Sequence, residues 1–299
     1  MINKERLLNR FLEYVQIDSE STNEKNMGER LVKDLTALGL EVHTDQAGSK
    51  INSNGFNVYA RLKGTLPGEP LIYSSHMDTV IPGKGVKPQI KDGVIYSDGT
   101  TILGGDDKSG LASIVEALTV IKENNLPCHT TEIAFSISEE IGMLGAKNME
   151  YDWFTAKKAV VLDHGGPIGD IVNQGPGQLK LFATIIGRAA HAGLAPEKGI
   201  NAIAVAAKGI AKMNLLRIDE ETTCNLGTIK AEGPTNIVAP KVEIIGEVRS
   251  RDLNKLNAQA KHMVDCLQQA CDEAGAKLEC ELKTNYVSFN VPKDDPFIQ

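Results

Sequence analysis

The sequence predicts an α/β protein in two parts: a mixed sheet flanked by helices, then a ferredoxin-like β-α-β-β-α-β unit. Three observations predict it. Apolar runs rich in β-branched and aromatic residues alternate with helical periodicity up to about residue 176. Beyond residue 177 the rhythm becomes strand, helix, two strands, helix, strand. The 299 residues exceed the roughly 150 typical of one core, and a hydrophobic fraction of 41% with 24% charged residues suits an ordinary globular protein with two cores.

"MINKERLLNRFLEYV" is charged at once and places Leu7, Leu8, Phe11, Leu12 and Val15 on one helical face, unlike a signal peptide. A second helix is expected to start from a Thr22 or Asn23 cap, carry Met27, Leu31, Leu35 and Leu38, and end at Gly39. A strand follows near Glu41. "FNVYARLKG" and "PLIYSSHMDTV" read as further strands, and "GVIYSDGT" as a short one before a loop. "SGLASIVEALTVIKEN" is helical, while "TTEIAFSISEE" and "KKAVVLDHGG" are strands running into polar ends. In the second part, strands are expected at 179–187, 224–232, 242–249 and 277–287, and helices at 202–213 and 253–274. Gly175, Pro176 and Gly177 cluster in "NQGPGQ", so the domains are placed at 1–176 and 177–288, the chain returning toward the first from about 289.

A net charge of −7 without a basic stripe excludes a nucleic-acid surface, and no apolar stretch reaches the length of a membrane span. The expected location is cytoplasmic. Cys128, Cys224, Cys266, Cys271 and Cys280 lack CxxC spacing and read as reduced thiols, with Cys224, Cys266 and Cys271 in the core.

Ionisable groups gather where strands end: His76 and Asp78 after "LIYSS", Glu139 and Glu140 after "IAFSIS", Asp163 and His164 after "AVVL". Asp106 and Asp107 lie in a glycine-rich turn, "GGDDKSG", between two of these strands. Open α/β sheets bind ligands at the carboxyl ends of their strands. Gathering several carboxylates there is costly unless a cation holds them ionised, so the arithmetic favours metal. Taken singly, each motif has a plainer reading: His76-x-Asp78 as a chance pair with a core histidine, Glu139 and Glu140 as a solvated turn. Together, neighbouring glutamates on one turn offer one carboxylate to a metal and another as general base for water.

In combination and in order, "SSHMDTV", "GGDDKSG", "SISEEIGMLG", "VLDHGG" and "RAAHAG" resemble the peptidase T-like tripeptidases. These are a branch of the dinuclear zinc metallopeptidases that includes carboxypeptidase G-like enzymes, aminoacylases and succinyl-diaminopimelate desuccinylase. The resemblance implies a zinc-exopeptidase-like catalytic domain with a lid/dimerisation domain. It implies that His76 and Asp163 bind one metal, Glu140 the other, that Asp106 bridges both, that Asp78 supports His76, and that Glu139 is the general base. It also implies a cis peptide between Asp106 and Asp107. Two Zn²⁺ ions are expected, with Co²⁺ or Mn²⁺ as substitutes for the same N and O donors.

By the same resemblance His191 of "GRAAHAG" stabilises the oxyanion in a partner subunit's site, the plainer reading being a loop histidine that caps a turn. Asn236 and Arg249 recognise substrate, Arg249 by a bidentate grip on a peptide carboxylate; its alternative is a sheet-surface pair with Glu247 or Asp252. The family pattern also carries a final histidine ligand near the C-terminus. None of the remaining histidines stands in that context and His164 is the nearest substitute, so a fragment of a longer enzyme with an unpaired sheet edge is the expectation. The expected function is release of the N-terminal residue from small peptides, tripeptides above all. Alternatives are another amidohydrolase of this scaffold, an aminoacylase or carboxypeptidase, and a non-catalytic metal-binding or dimerising protein. The lid's edge strand offers a surface through which a homodimer could pair, as members of the family often do, and the sequence alone leaves monomer and dimer both open.

Overall fold

The computed structural model describes Met1–Gln299, which divide into two compact units, Met1–Gly166 and Pro167–Gln299. In the first unit, α1 (Lys4–Val15) and α2 (Lys25–Ala37) lead to β1 (Glu41–Thr44), a short α3 (Ala47–Ile51), β2 (Val58–Leu62) and β3 (Leu71–His76). A small hairpin of β4 (Gln89–Lys91) and β5 (Val94–Tyr96) precedes α4 (Gly105–Glu123), β6 (Thr131–Ser136), α5 (Leu144–Lys147) and β7 (Ala159–Val161). The sheet order is β1-β2-β6-β3-β7. β6, β3 and β7 run parallel, while β2 is antiparallel to both of its neighbours, β1 and β6, so the sheet is mixed. Three strand ends therefore open on one rim, the geometry that collects side chains from distant parts of a sequence.

The core explains the elements. Met27, Leu31 and Leu35 of α2 are fully buried, as their helical spacing predicts, and join Leu111, Val115 and Leu118 of α4 and Ile133 and Phe135 of β6. Neither Thr22 nor Asn23 caps α2, a correction to the sequence reading. Thr22 takes φ 73°, Glu24 is the N-cap, and the amide of Lys25 donates instead to Asn54 Oδ1 at 3.1 Å, so the cap comes from a loop. The short α3 and β4 had no sequence signal. β7 pairs only with β3, and Val160 and Val161 are exposed on it.

The second unit contains β8 (Gln174–Gly175), β9 (Gly177–Ile186), α6 (Ala202–Ala211), β10 (Leu216–Arg217), β11 (Thr222–Lys230), β12 (Lys241–Ser250), α7 (Leu253–Ala274), β13 (Lys277–Tyr286) and β14 (Phe289–Asn290). Its antiparallel sheet has the order β10-β11-β12-β9-β13 and carries the β-α-β-β-α-β pattern, with β10 added at one edge. Alternate residues of β9 and β12, such as Leu181, Ala183, Ile185, Val242, Ile244 and Val248, face Val205, Met263 and Leu267 of the helices. Cys224, Cys266 and Cys271 are buried in this core, and all five cysteines are free. β8 pairs with β14, which ties "NQGPGQ" to this unit; the division between the units falls earlier than that stretch, at Gly166.

Candidate metal centre

The rim of the first sheet assembles His76, Asp78, Asp106, Glu139, Glu140 and Asp163. His76 closes β3 and is 2% exposed. Its Nδ1 faces the carbonyl oxygen of Asp78 at 2.9 Å, an acceptor, so Nδ1 carries the proton and donates. Nε2 is thereby turned outward, 2.9 Å from Asp106 Oδ1 and 3.8 Å from Asp163 Oδ1.

Asp78 does more than orient this imidazole. Its carboxylate is fully buried and lies 3.4 Å from Nδ1, but it also accepts from the amides of Glu139 (2.8 Å) and Glu140 (3.2 Å) and from Ser21 Oγ (2.7 Å). Burial alone would raise its pKa; the bonds from His76, Ser21 and Glu139 outweigh that and hold it below the usual carboxylate range. Ser21 had no sequence signal beyond its proximity to a polar stretch.

Asp106 and Asp107 interrupt the first turn of α4 with non-helical backbone, and the peptide between them is cis, as the family resemblance implied. Asp106 is exposed at the mouth of the site, whereas Asp107 is buried. Ser75 Oγ donates to the Asp107 carbonyl, and Asp107 Oδ1 accepts from the Gly110 amide at 3.2 Å. A Cβ on Gly110 would stand 2.4 Å from that oxygen, so the close approach requires glycine there. Lys108 is also buried, its Nζ donating to the Ile17 carbonyl at 2.7 Å, so it shapes the loop.

Donor atoms of His76, Asp106 and Glu140 lie within 4.8 Å of one another, as do those of His76, Glu139 and Asp163. His76 thus belongs to both groups. No such group includes His164. Burial first, then neighbouring negative charge, raises the carboxyl groups of Glu139, Glu140 and Asp163 above their ordinary values. Burial pulls the His76 imidazolium down, but Asp78, Asp106 and Asp163 more than offset it and its pKa is pushed up to about 10. Carboxylates that crowd until they resist ionisation are what a divalent cation relieves, and the imidazole and carboxylate donors fit zinc, cobalt or manganese. Asp107 Oδ2 is buried without a hydrogen-bond partner beside these groups, and burial pushes that carboxyl up to about 7.

The remaining candidates lie in the second unit. His191 and Asn236 are neighbours: the Ala192 amide donates to the Asn236 carbonyl at 2.9 Å, and His191 bridges Ile237. His191 does cap its own turn, Nδ1 accepting from the Gly193 amide at 3.2 Å, which leaves the exposed ring with Nε2 outward. Arg249 stands apart on β12, its Nε 2.8 Å from Glu247 Oε1, the surface pair given as its alternative.

Comparison with known proteins accords with this architecture. Residues 175–275 match the peptidase dimerisation domain, and residues 57–192 match peptidase family M28. The chain is 42% identical over all 299 residues to the protein YqjE of Bacillus subtilis, spanning 81% of it. It is 31% identical over 247 residues to peptidase T of Escherichia coli, 68% of this chain and 59% of that protein. Among solved structures, aminopeptidase PepT from Bacillus cereus superposes with a TM-score of 0.93 at 45% identity, covering 99% of this chain and 80% of that one. A tripeptidase from Staphylococcus aureus gives 0.92 at 41%, covering 99% and 79%. Strand ends that converge on shared donor atoms, joined to these likenesses over nearly the whole chain, place the protein in the peptidase T-like branch of the M20 metallopeptidase family.

Proposed function

We propose that the protein is a zinc-dependent aminopeptidase that releases the N-terminal residue of tripeptides. The observation that carries this reading is the gathering of donor atoms from His76, Asp106, Glu139, Glu140 and Asp163 at the strand rim; their division between two ions follows the family resemblance. The likeness to PepT and to a tripeptidase supports the substrate class. His76 and Asp163 would hold one ion, Glu140 the other, and Asp106 both. Two bound cations supply acidified water and a polarised scissile carbonyl.

The chain's own residues do the rest. Glu139, whose carboxyl is raised by burial and by its acidic neighbours, stands beside the donor atoms of His76 and Asp163, where it would take a proton from water and return it to the departing amine. Asp78 fixes where Glu139 stands through the bond to its backbone amide. His191 Nε2 is available to hold the developing oxyanion, with Asn236 on the paired loop as a substrate contact. Arg249 would have to exchange Glu247 for a substrate carboxylate. The dimerisation-domain match supports a homodimer through the second unit, and the absence of any helix long and apolar enough to cross a membrane is compatible with the cytoplasm.

The test is hydrolysis of free tripeptides beside N-acyl amino acids by the zinc-loaded protein, with metal content measured on the same sample. Tripeptide turnover with about two ions per chain, lost on chelation and restored by zinc, is expected. Turnover of N-acyl substrates alone would move the protein to the aminoacylases. One ion or none without turnover would leave a binding protein.

A further inference from the structure

Beyond its end at Ser136, β6 loses its strand partners just where it enters the turn bearing Glu139 and Glu140. Four consecutive amides there find side-chain acceptors instead. Ile137 N donates to Asn57 Oδ1 at 3.1 Å, Ser138 N to Glu24 Oε1 at 3.0 Å, Glu139 N to Asp78 Oδ1 at 2.8 Å, and Glu140 N to Asp78 Oδ2 at 3.2 Å. Asn57, Glu24 and Asp78 are each fully buried and come from well-separated parts of the chain. Ser138 Oγ adds a bond to Glu24 Oε1 at 2.8 Å, and Ser138 itself takes φ 52°, a left-handed backbone that a serine keeps only when its surroundings hold it there.

We propose that Glu24 is a positioning residue: through Ser138 it sets the turn that carries the general base and a metal ligand. The proposal rests on the exopeptidase reading for its kinetic part. Glu24 belongs to neither group of close ligand atoms, so it acts on the metal only through the backbone. Its side-chain contacts are all hydrogen bonds from neutral donors. Oε1 accepts from Ser138 N, Ser138 Oγ and Thr22 N, and Oε2 accepts from Ser53 Oγ at 2.7 Å. No cation pairs with it, so its function depends on where its oxygen lies and not on its charge. The loop before α2 is thereby locked to the strand end that bears the base, across 114 positions of sequence.

Glutamine and aspartate separate reach from charge. Glu24→Gln keeps an oxygen for Ser138, and its amide can donate to Ser53 Oγ. Glu24→Asp keeps the charge but withdraws the oxygen by one methylene. Kinetics on a tripeptide and zinc affinity by competition with a chelator are measured on the zinc-loaded protein, well below each variant's melting midpoint. Glu24→Asp is expected to lower kcat about 100-fold with KM within about threefold, since a misplacement near 1 Å costs that much. Zinc affinity should fall about tenfold or more, as when an outer support of a metal ligand is lost. Glu24→Gln should stay within about threefold of wild type on both counts. Equal effects in the two variants, or Glu24→Asp with undiminished kcat and zinc affinity, would overturn the proposal. Should Glu24→Asp not fold, hydrogen exchange of the Ser138 and Glu139 amides decides: protection in wild type and Glu24→Gln supports the clamp, free exchange in wild type refutes it. A wild type inactive on tripeptides would sink the exopeptidase reading, while zinc affinity and amide exchange would still test the clamp.

Discussion

The two units of this chain bury different things. In Met1–Gly166, Glu24, Asp45, His76, Asp78, Asp107, Lys108, Glu116 and Glu132 are all buried, whereas in Pro167–Gln299 the buried polar side chains are Gln178, Thr222, Ser250 and Gln259, none of them charged. Burying charge is expensive unless every group is hydrogen-bonded or paired. The first unit therefore spends part of its apolar stabilisation on holding charged groups at the sheet rim and beneath it. The second is a packing unit, with β9 and β12 alternating inward apolar and outward polar residues under two helices. The lesson is that chemistry in this fold is to be sought where burial and charge coincide.

Breaking the comparison at its strongest point means removing charge that serves chemistry and not stability. Glu139→Gln is expected to lower tripeptide turnover by about 10² to 10⁴-fold, the span typical of a lost general base, with zinc content and melting midpoint held. A midpoint drop as large as that caused by a core variant would show that Glu139 is structural. Next comes the apolar side. Leu267, fully buried on α7, should cost about 2–5 kcal/mol when truncated to alanine, read by denaturant unfolding, while zinc content stays at the wild-type value.

Glu132 sharpens the comparison because it is buried charge in the first unit away from the metal rim. Its carboxylate accepts from the amides of Thr155 and Ala156 and pairs with Arg61 Nε at 2.9 Å. Burial works to raise its pKa, but these bonds outweigh it and the folded value lies below the ordinary 4.5. The stability it contributes is therefore present above about pH 4.5 and is lost as pH falls through the depressed folded value. Glu132→Ala should cost about 2 kcal/mol at neutral pH and flatten the acid limb of the stability curve; an unchanged limb would refute this. The smallest effect belongs to Asn201, whose side chain caps α6 by accepting from the Ile203 and Ala204 amides. Asn201→Ala should lower stability by about 1 kcal/mol at any pH near neutrality, measured by urea titration.

What the sequence made legible follows the same division. α7 was expected at 253–274 and forms over Leu253–Ala274, because both ends are signalled locally: Asp252 accepts from Lys255 N, and Gly275 takes the left-handed conformation, φ 69°. The ionisable strand ends were legible too, since each sits directly after an apolar run. Glu24 and Asn57 were not, because their partners lie 114 and 80 positions away and nothing nearby distinguishes them from surface residues. The cap of α2 was misread for the same reason, Asn54 arriving from a loop. Arg249 shows the converse: the motif suggested a ligand contact, and the strand geometry supplied Glu247 two residues away on the same face.

The antiparallel start of β2 beside the parallel end of β6 has a consequence for how this protein can change. Val58 stands opposite Phe135, so Asn57 meets Ile137 only in that alignment. A one-residue slip would turn the inward set of β2 to the other face and also withdraw an acceptor from the turn bearing Glu139. Insertions between Asn57 and Leu62 are thus not tolerable, and a hydrophobic strand that looks interchangeable in composition is fixed in length by the chemistry at its tip.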